Sequence, residues 1–152
     1  MLKRQEKWDL RFLDLAKFVS NWSKDPSTKT GACITTTDNR IVSIGFNGFP
    51  IGVQDLPERL ENREIKYKMI AHCECNAILF ANRDISGCAL YTWPFPSCSR
   101  CAVMAIQAGI KRHVAPEIPQ SLYARWGKDI ELALALYKEA GVDIRLYEGI
   151  CQ

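Results

Sequence analysis

Two short stretches combine residue types that bind metal ions and move protons: His72-Cys73-Glu74-Cys75 and Cys98-Ser99-Arg100-Cys101. A C-x-x-C on the first turn of a helix puts its sulfurs, at i and i+3, on one side, where both reach one ion. The helix amino terminus also lowers a thiol's pKa, and metal binding requires the thiolate. One imidazole and two thiolates leave a fourth tetrahedral position for water, the layout of a catalytic zinc site rather than a closed structural one. Zinc brings the pKa of such a water towards neutrality. Glu74, two residues past His72, can then carry its proton without ligating the metal. This pattern predicts Zn2+ held by His72, Cys98 and Cys101, with Glu74 as the catalytic group.

Other uses of these cysteines fit less well. A thioredoxin-like redox pair at Cys98 and Cys101 would follow the first strand and would leave His72-x-Glu74 unexplained. A four-thiolate structural zinc would have to include Cys73 and Cys75, and C-x-C spacing on a helix is awkward for one ion. Cys73, Cys75, Cys33 and Cys88 are expected to be small buried residues, and Cys151 near the end of the sequence is expected to have no role. His113, in an apolar strand, reads as structural rather than as a ligand.

The elements that must position these residues follow from periodicity. Residues 5–22 carry Trp8, Phe12, Leu15, Ala16 and Val19 at helical spacing, before the Lys24-Asp25-Pro26 breaker. Gly31 to Thr37 and Arg40 to Phe46 are rich in β-branched residues and flank Asp38-Asn39, which predicts a hairpin. A loop from Asn47 to Gly52 runs into a polar stretch as far as Tyr67. Helices are expected from about His72 to Ala81, Cys98 to Ala108 and Ser121 to Ala140, with strands at Cys88 to Thr92, Lys111 to Ala115 and Val142 to Tyr147. The order α-β-β-α-β-α-β-α-β predicts an α/β fold: a mixed, mostly parallel five-stranded sheet that opens with a hairpin and has helices on both faces. Ligands of such sheets bind beyond the carboxyl ends of the strands, where helices begin. Both motif helices begin with metal-binding residue types.

Composition bounds the rest. A chain of 152 residues, 47% hydrophobic and 24% charged, is expected to be one domain, residues 1–152, with an ordinary core. Its longest apolar run is too short for a membrane span. Twenty basic against 17 acidic residues give a net charge of +3, suited to small anions more than to nucleic acid. Seven cysteines and no secretory signal suggest free thiols in a reducing, cytoplasmic setting.

An H-x-E followed by P-C-x-x-C is the signature of zinc nucleobase deaminases. With it, the chain resembles the cytidine and deoxycytidylate deaminase family from about Phe12 to Tyr147. Within that family it resembles the deoxycytidylate (dCMP) deaminases. Asp25-Pro26-Ser27-Thr28-Lys29-Thr30-Gly31-Ala32, Gly45-Phe46-Asn47-Gly48-Phe49-Pro50, His72-x-Glu74-x-Asn76-Ala77-Ile78, Cys98-x-x-Cys101-Ala102 and Ile106-Gln107-Ala108-Gly109-Ile110-Lys111 carry the likeness. The resemblance implies a three-layer α-β-α fold and hydrolysis of dCMP to dUMP, which feeds thymidylate synthesis. It also implies a nucleotide contact at Asn47. Many relatives are hexamers activated by dCTP and inhibited by dTTP with Mg2+. Their effector site maps here to Phe46, Asn47, Gly48, Gly52, Phe80 and Arg83. Lys29 and Arg125 are candidates for the substrate phosphate. Neighbouring activities are deamination of CMP, dCTP or cytidine, of adenosine in tRNA, or a zinc module without turnover. The chain departs from the family at Ser97, where proline is usual, and at Cys73, where alanine is usual.

Overall fold

The computed structural model describes residues 1–150, so Cys151 lies outside the described residues. Helix α1, Arg4–Ser20, buries Asp9, Phe12, Leu13, Ala16, Val19 and Ser20, an i, i+3, i+4, i+7 stripe. It ends at Ser20 with Asn21 as its carboxyl cap, one turn before Pro26. The hairpin strands are β1, Gly31–Thr35, and β2, Ile41–Phe46. Their connection is longer than two residues: Thr36 and Arg40 close it, and Asn39 takes the left-handed conformation at φ 63°. The polar stretch that follows forms two short helices, α2, Pro57–Glu61, and α3, Arg63–Met69. Their alternating charges hid them, because α2 buries no residue and so has no apolar stripe.

The remaining elements fall close to their predicted positions. They are α4, Cys73–Ala81; β3, Ala89–Trp93; α5, Ser99–Gln107; β4, Arg112–Pro116; α6, Gln120–Glu139; and β5, Asp143–Tyr147. The five strands lie in the order β2-β1-β3-β4-β5. Two pairings are antiparallel, β1 with β2 and β1 with β3, and two are parallel, so the sheet is not mostly parallel as the sequence suggests. The helix-linked strands β2 to β5 do all run one way. The reversed β1, however, lies between β2 and β3 and turns two pairings antiparallel. As expected, the carboxyl ends of β2 to β5 share one edge.

Helix α1 covers one face, where Phe12 and Leu13 pack with Cys33, Tyr91 and Val114. Ala32, Ile34 and Leu90 point to the other face and pack with residues of α4, α5 and α6, including Ala77, Ala105 and Tyr137. Two glycines let helices lie directly on strands. A Cβ at Gly31 would sit 2.0 Å from the Ala16 carbonyl of α1, and one at Gly45 2.4 Å from the Cys73 carbonyl of α4. No described helix is long and apolar enough to cross a membrane.

The α1 face also buries a charge. Asp9 is completely buried and takes a bidentate pair of bonds from Arg112, at 2.6 and 2.7 Å, with further bonds from Tyr91 and Tyr147 at 2.7 and 2.8 Å. Burial alone would raise its pKa, but these donors hold it below the usual carboxylate range. They tie α1 to β3, β4 and β5. Asp9→Ala removes one partner of a buried pair, so it should lower unfolding free energy by about 3 kcal/mol or more, read by urea denaturation.

Candidate functional site

The cluster forms where two helices start. His72 is the N-cap of α4 and Cys98 the N-cap of α5, and neither side chain caps its own helix. Both turn instead towards one point, with His72 Nδ1 3.4 Å from Cys98 Sγ and 3.4 Å from Cys101 Sγ. All three donor atoms lie within 4.8 Å of one another. Zinc bonds near 2.05 Å to nitrogen and 2.3 Å to sulfur, at the tetrahedral angle, place those atoms about 3.6 Å apart. The nitrogen–sulfur distances therefore suit a zinc ion shared by the three side chains.

The three groups of the cluster shift one another's pKa values. Hydrogen bonding to Cys98 pushes the His72 pKa up to about 9. A hydrogen bond from Cys101, assisted by His72, draws the Cys98 thiol down to about 4. Cys101 is pushed up by its bond to Cys98, then by burial and by the charge of Glu74. Metal binding would displace the protons these groups share and keep both thiolates.

Glu74 is buried at 6% exposure and lines a cavity with His72, Cys98, Asn47, Thr28, Thr30, Tyr67 and Phe95. Its position follows from the helix, since residue 74 lies in the first turn of α4, two residues past the cap. Asn47, just after β2, is also buried. Its Oδ1 accepts from the Thr30 amide at 2.8 Å, and its Nδ2 donates to the Thr28 carbonyl at 2.9 Å and to Asp25 at 3.4 Å. The cavity mouth carries Arg125 and Trp126. The Arg125 guanidinium stacks 4.7 Å from the Trp126 ring and donates to the Tyr67 hydroxyl.

The other candidates are spread more widely. Lys29 is exposed between Thr28 and Thr30 and does not line the cavity, because its neighbours turn inward and its own side chain turns out. Phe46, Gly48 and Gly52 follow the β2 edge, with Phe46 37% exposed. Phe80, 57% exposed, stands at the far end of α4, and Arg83 just beyond it donates through Nε to the Asp84 carbonyl. Neither Phe80 nor Arg83 lines the cavity beside the cluster. Cys33, Cys73 and Cys88 are buried as expected, whereas Cys75 is only half-buried and borders the outer side of the cluster.

Sequence reasoning missed three supports. Lys66, 2% exposed, pairs with buried Asp25 at 2.9 Å, and both line the cavity. The two lie 41 positions apart in polar segments, with no local signal to join them. Asp129 of α6 accepts from the Ser99 amide and hydroxyl, at 2.8 and 2.6 Å. His113 is structural, as read, yet it also serves the site. Its Nδ1 meets the Leu90 carbonyl at 3.1 Å, and its Nε2 accepts from the Ser97 amide at 3.2 Å. A proline at position 97 would have no N–H to give.

Residues 6–116 match the family described as the cytidine and deoxycytidylate deaminase zinc-binding region. The chain belongs to this family. It is 47% identical over 138 residues, 91% of this chain and 92% of the relative, to an uncharacterized deaminase in the luxG 3' region of Aliivibrio fischeri. Against deoxycytidylate deaminase of Mus musculus it is 40% identical over 146 residues, 92% of this chain and 79% of the mouse protein. The crystal structure of dCMP deaminase from the cyanophage S-TIM5 with dCMP and dUMP superposes with a TM-score of 0.71. It covers 97% of this chain and 100% of that one at 21% identity, which establishes a shared fold. Its apo form gives the same score.

Burial holds the His113 pKa down to about 4. The unfolded histidine takes up its proton near pH 6.5, and the folded one does not until about pH 4. Stability of the zinc-loaded protein should therefore fall as pH drops through that window. In His113→Gln the slope of unfolding free energy against pH should be shallower by up to one proton.

Proposed function

We propose that this protein hydrolyses dCMP to dUMP and ammonia, with zinc held by His72, Cys98 and Cys101. The observation that carries the reading is the buried Glu74 carboxylate, which lines one cavity with His72 and Cys98. A closed structural zinc site has no use for a carboxylate there. Held by His72, Cys98 and Cys101, zinc would supply a Lewis acid that eases loss of a proton from water near neutral pH. Glu74 accepts that proton and delivers it to N3 of the cytosine as oxygen adds to C4. It then takes the remaining proton from the hydroxyl added at C4 and passes it to the departing amino group, leaving a C4 carbonyl. Water and dCMP thus become dUMP and ammonia, with no redox change.

The cavity orients the nucleotide. Both Asn47 Nδ2 hydrogens are engaged, and one Oδ1 lone pair takes the Thr30 amide. The remaining lone pair can only accept, so Asn47 meets a sugar hydroxyl. Arg125 at the mouth suits the 5'-phosphate, and its lining position favours it over exposed Lys29. This arrangement also supports a nucleotide over cytidine, which lacks a phosphate for Arg125.

Ultraviolet-monitored deamination should show turnover of dCMP well above that of CMP, dCTP or cytidine. Turnover of none of the four overturns the reading. Glu74→Ala should lower kcat by about 10²–10⁴-fold while retaining one zinc per chain by metal analysis. Loss of folding or of zinc instead would favour a structural site.

We also infer regulation in a cytoplasmic homo-oligomer, a hexamer by resemblance, with dCTP activating and dTTP-Mg2+ inhibiting. Phe46, Asn47, Gly48, Gly52, Phe80 and Arg83 form the effector site in this reading. Exposed Phe80 and Phe46 offer rings to a base, and the terminal nitrogens of Arg83 donate no hydrogen bond among the described residues. Arg83→Glu should abolish the response of dCMP turnover to both triphosphates. A variant that responds as the parent does removes Arg83 from the effector site.

A further inference from the structure

The amino terminus of α5 has an unusual problem. An N-cap residue ordinarily uses its side chain to satisfy an exposed amide of the first turn. Cys98 holds that position with extended backbone, φ −70° and ψ 167°, but its sulfur is turned to His72 and Cys101. Something outside the helix must hold this end. Asp129, one helix away in α6, binds the Ser99 amide through Oδ2 at 2.8 Å and the Ser99 hydroxyl through Oδ1 at 2.6 Å. Both carboxylate oxygens grip the residue that follows Cys98, and the negative charge suits the helix terminus. Asp129 borders the outer side of the cluster with His72, Cys98 and Cys101 but does not join them as a fourth ligand.

The residue before Cys98 is held from the same side. Ser97 is completely buried, its amide donates to His113, and its hydroxyl accepts from Tyr137 of α6 at 3.2 Å. Cys98 thus sits between two anchored neighbours, with its own sulfur turned to the cluster. We propose that Asp129 is a positioning residue that, by gripping the first residue of α5, keeps the neighbouring Cys98 sulfur aimed at the metal. This rests on the reading of His72, Cys98 and Cys101 as zinc ligands. The grip is geometric, so an asparagine, whose amide can still bond Ser99, preserves most of it, whereas alanine removes it.

The test uses the full chain loaded with zinc or with Co2+. Zinc transfer to the chelating dye 4-(2-pyridylazo)resorcinol reads ligand retention. Absorption of the Co2+ form reads the geometry around the ion. Asp129→Ala should release zinc about 10–100-fold faster and shift the thiolate-to-cobalt and d–d bands. Asp129→Asn should restore most of both. Unchanged release and spectrum in Asp129→Ala would overturn the proposal. So would an equal drop in Tm of the metal-free and metal-loaded forms with an unmoved spectrum, since that marks a merely structural role. If Asp129→Ala does not fold, Ser99→Ala, which deletes one of the two bonds, decides. Faster release supports the proposal, and a parental rate overturns it. A parent chain that binds neither metal would overturn the zinc reading instead.

Discussion

Two helix caps do not cap. His72 and Cys98 both occupy the position whose side chain normally closes the first turn, and both give that side chain to the cluster. Much of the surrounding structure answers this constraint. The start of α4 is pressed on β2 through Gly45, where any side chain would strike the Cys73 carbonyl. The Asn76 side chain bonds the Phe46 carbonyl at 2.7 Å, and Gly48 and Ala71 exchange backbone bonds at 3.1 and 2.8 Å. The start of α5 is held by Asp129 and by the anchored Ser97. Metal ligands need placement to a few tenths of an ångström, and backbone contacts with packed strands give that where flexible side chains would not.

The sheet brings the two helix starts together. Gly31 pairs with Phe46 on one side and Trp93 on the other, so the loops after β2 and β3 leave the same edge next to each other. Asn47 follows one of these strands, and Cys98 follows the other after the Pro94–Ser97 segment. Because β1 runs between them in reverse, its own entry loop, residues 28–30, reaches the same edge and supplies a third wall. Asn47 ties that wall to the β2 loop through the Thr28 and Thr30 backbone.

Buried ionic groups stiffen both sides of the sheet. Asp25 accepts from the Ser27 amide at 2.8 Å and from Lys66, and so shapes the loop that enters β1. Asp9 does comparable work beneath α1, where four side chains donate to it. A buried ion pair is weak as a source of stability when set against a well-packed apolar pair. Its effect here is directional: each carboxylate admits only one arrangement of its donors, and that arrangement fixes where a loop or helix lies.

The chemistry of the site was legible in the sequence because its signals are local. H-x-E and C-x-x-C each lie on one helical turn, so spacing alone places Glu74 next to the histidine and brings the two sulfurs to one side. Helix α6 and strands β3, β4 and β5 were likewise legible, since apolar periodicity and a glycine or proline at each end are short-range properties. Helices α2 and α3 were not, because a helix that buries almost nothing leaves no stripe. Nor was the place of β1 between β2 and β3, which depends on how a crossover packs rather than on any residue within it. Nothing local joins Asp25 to Lys66, Asp9 to Arg112, or Asp129 to Ser99. Composition and spacing determined which residues can hold a metal and move a proton. Only the tertiary structure decided what keeps them in place, because those supports join residues 16 to 103 positions apart, and no local pattern records such a distance.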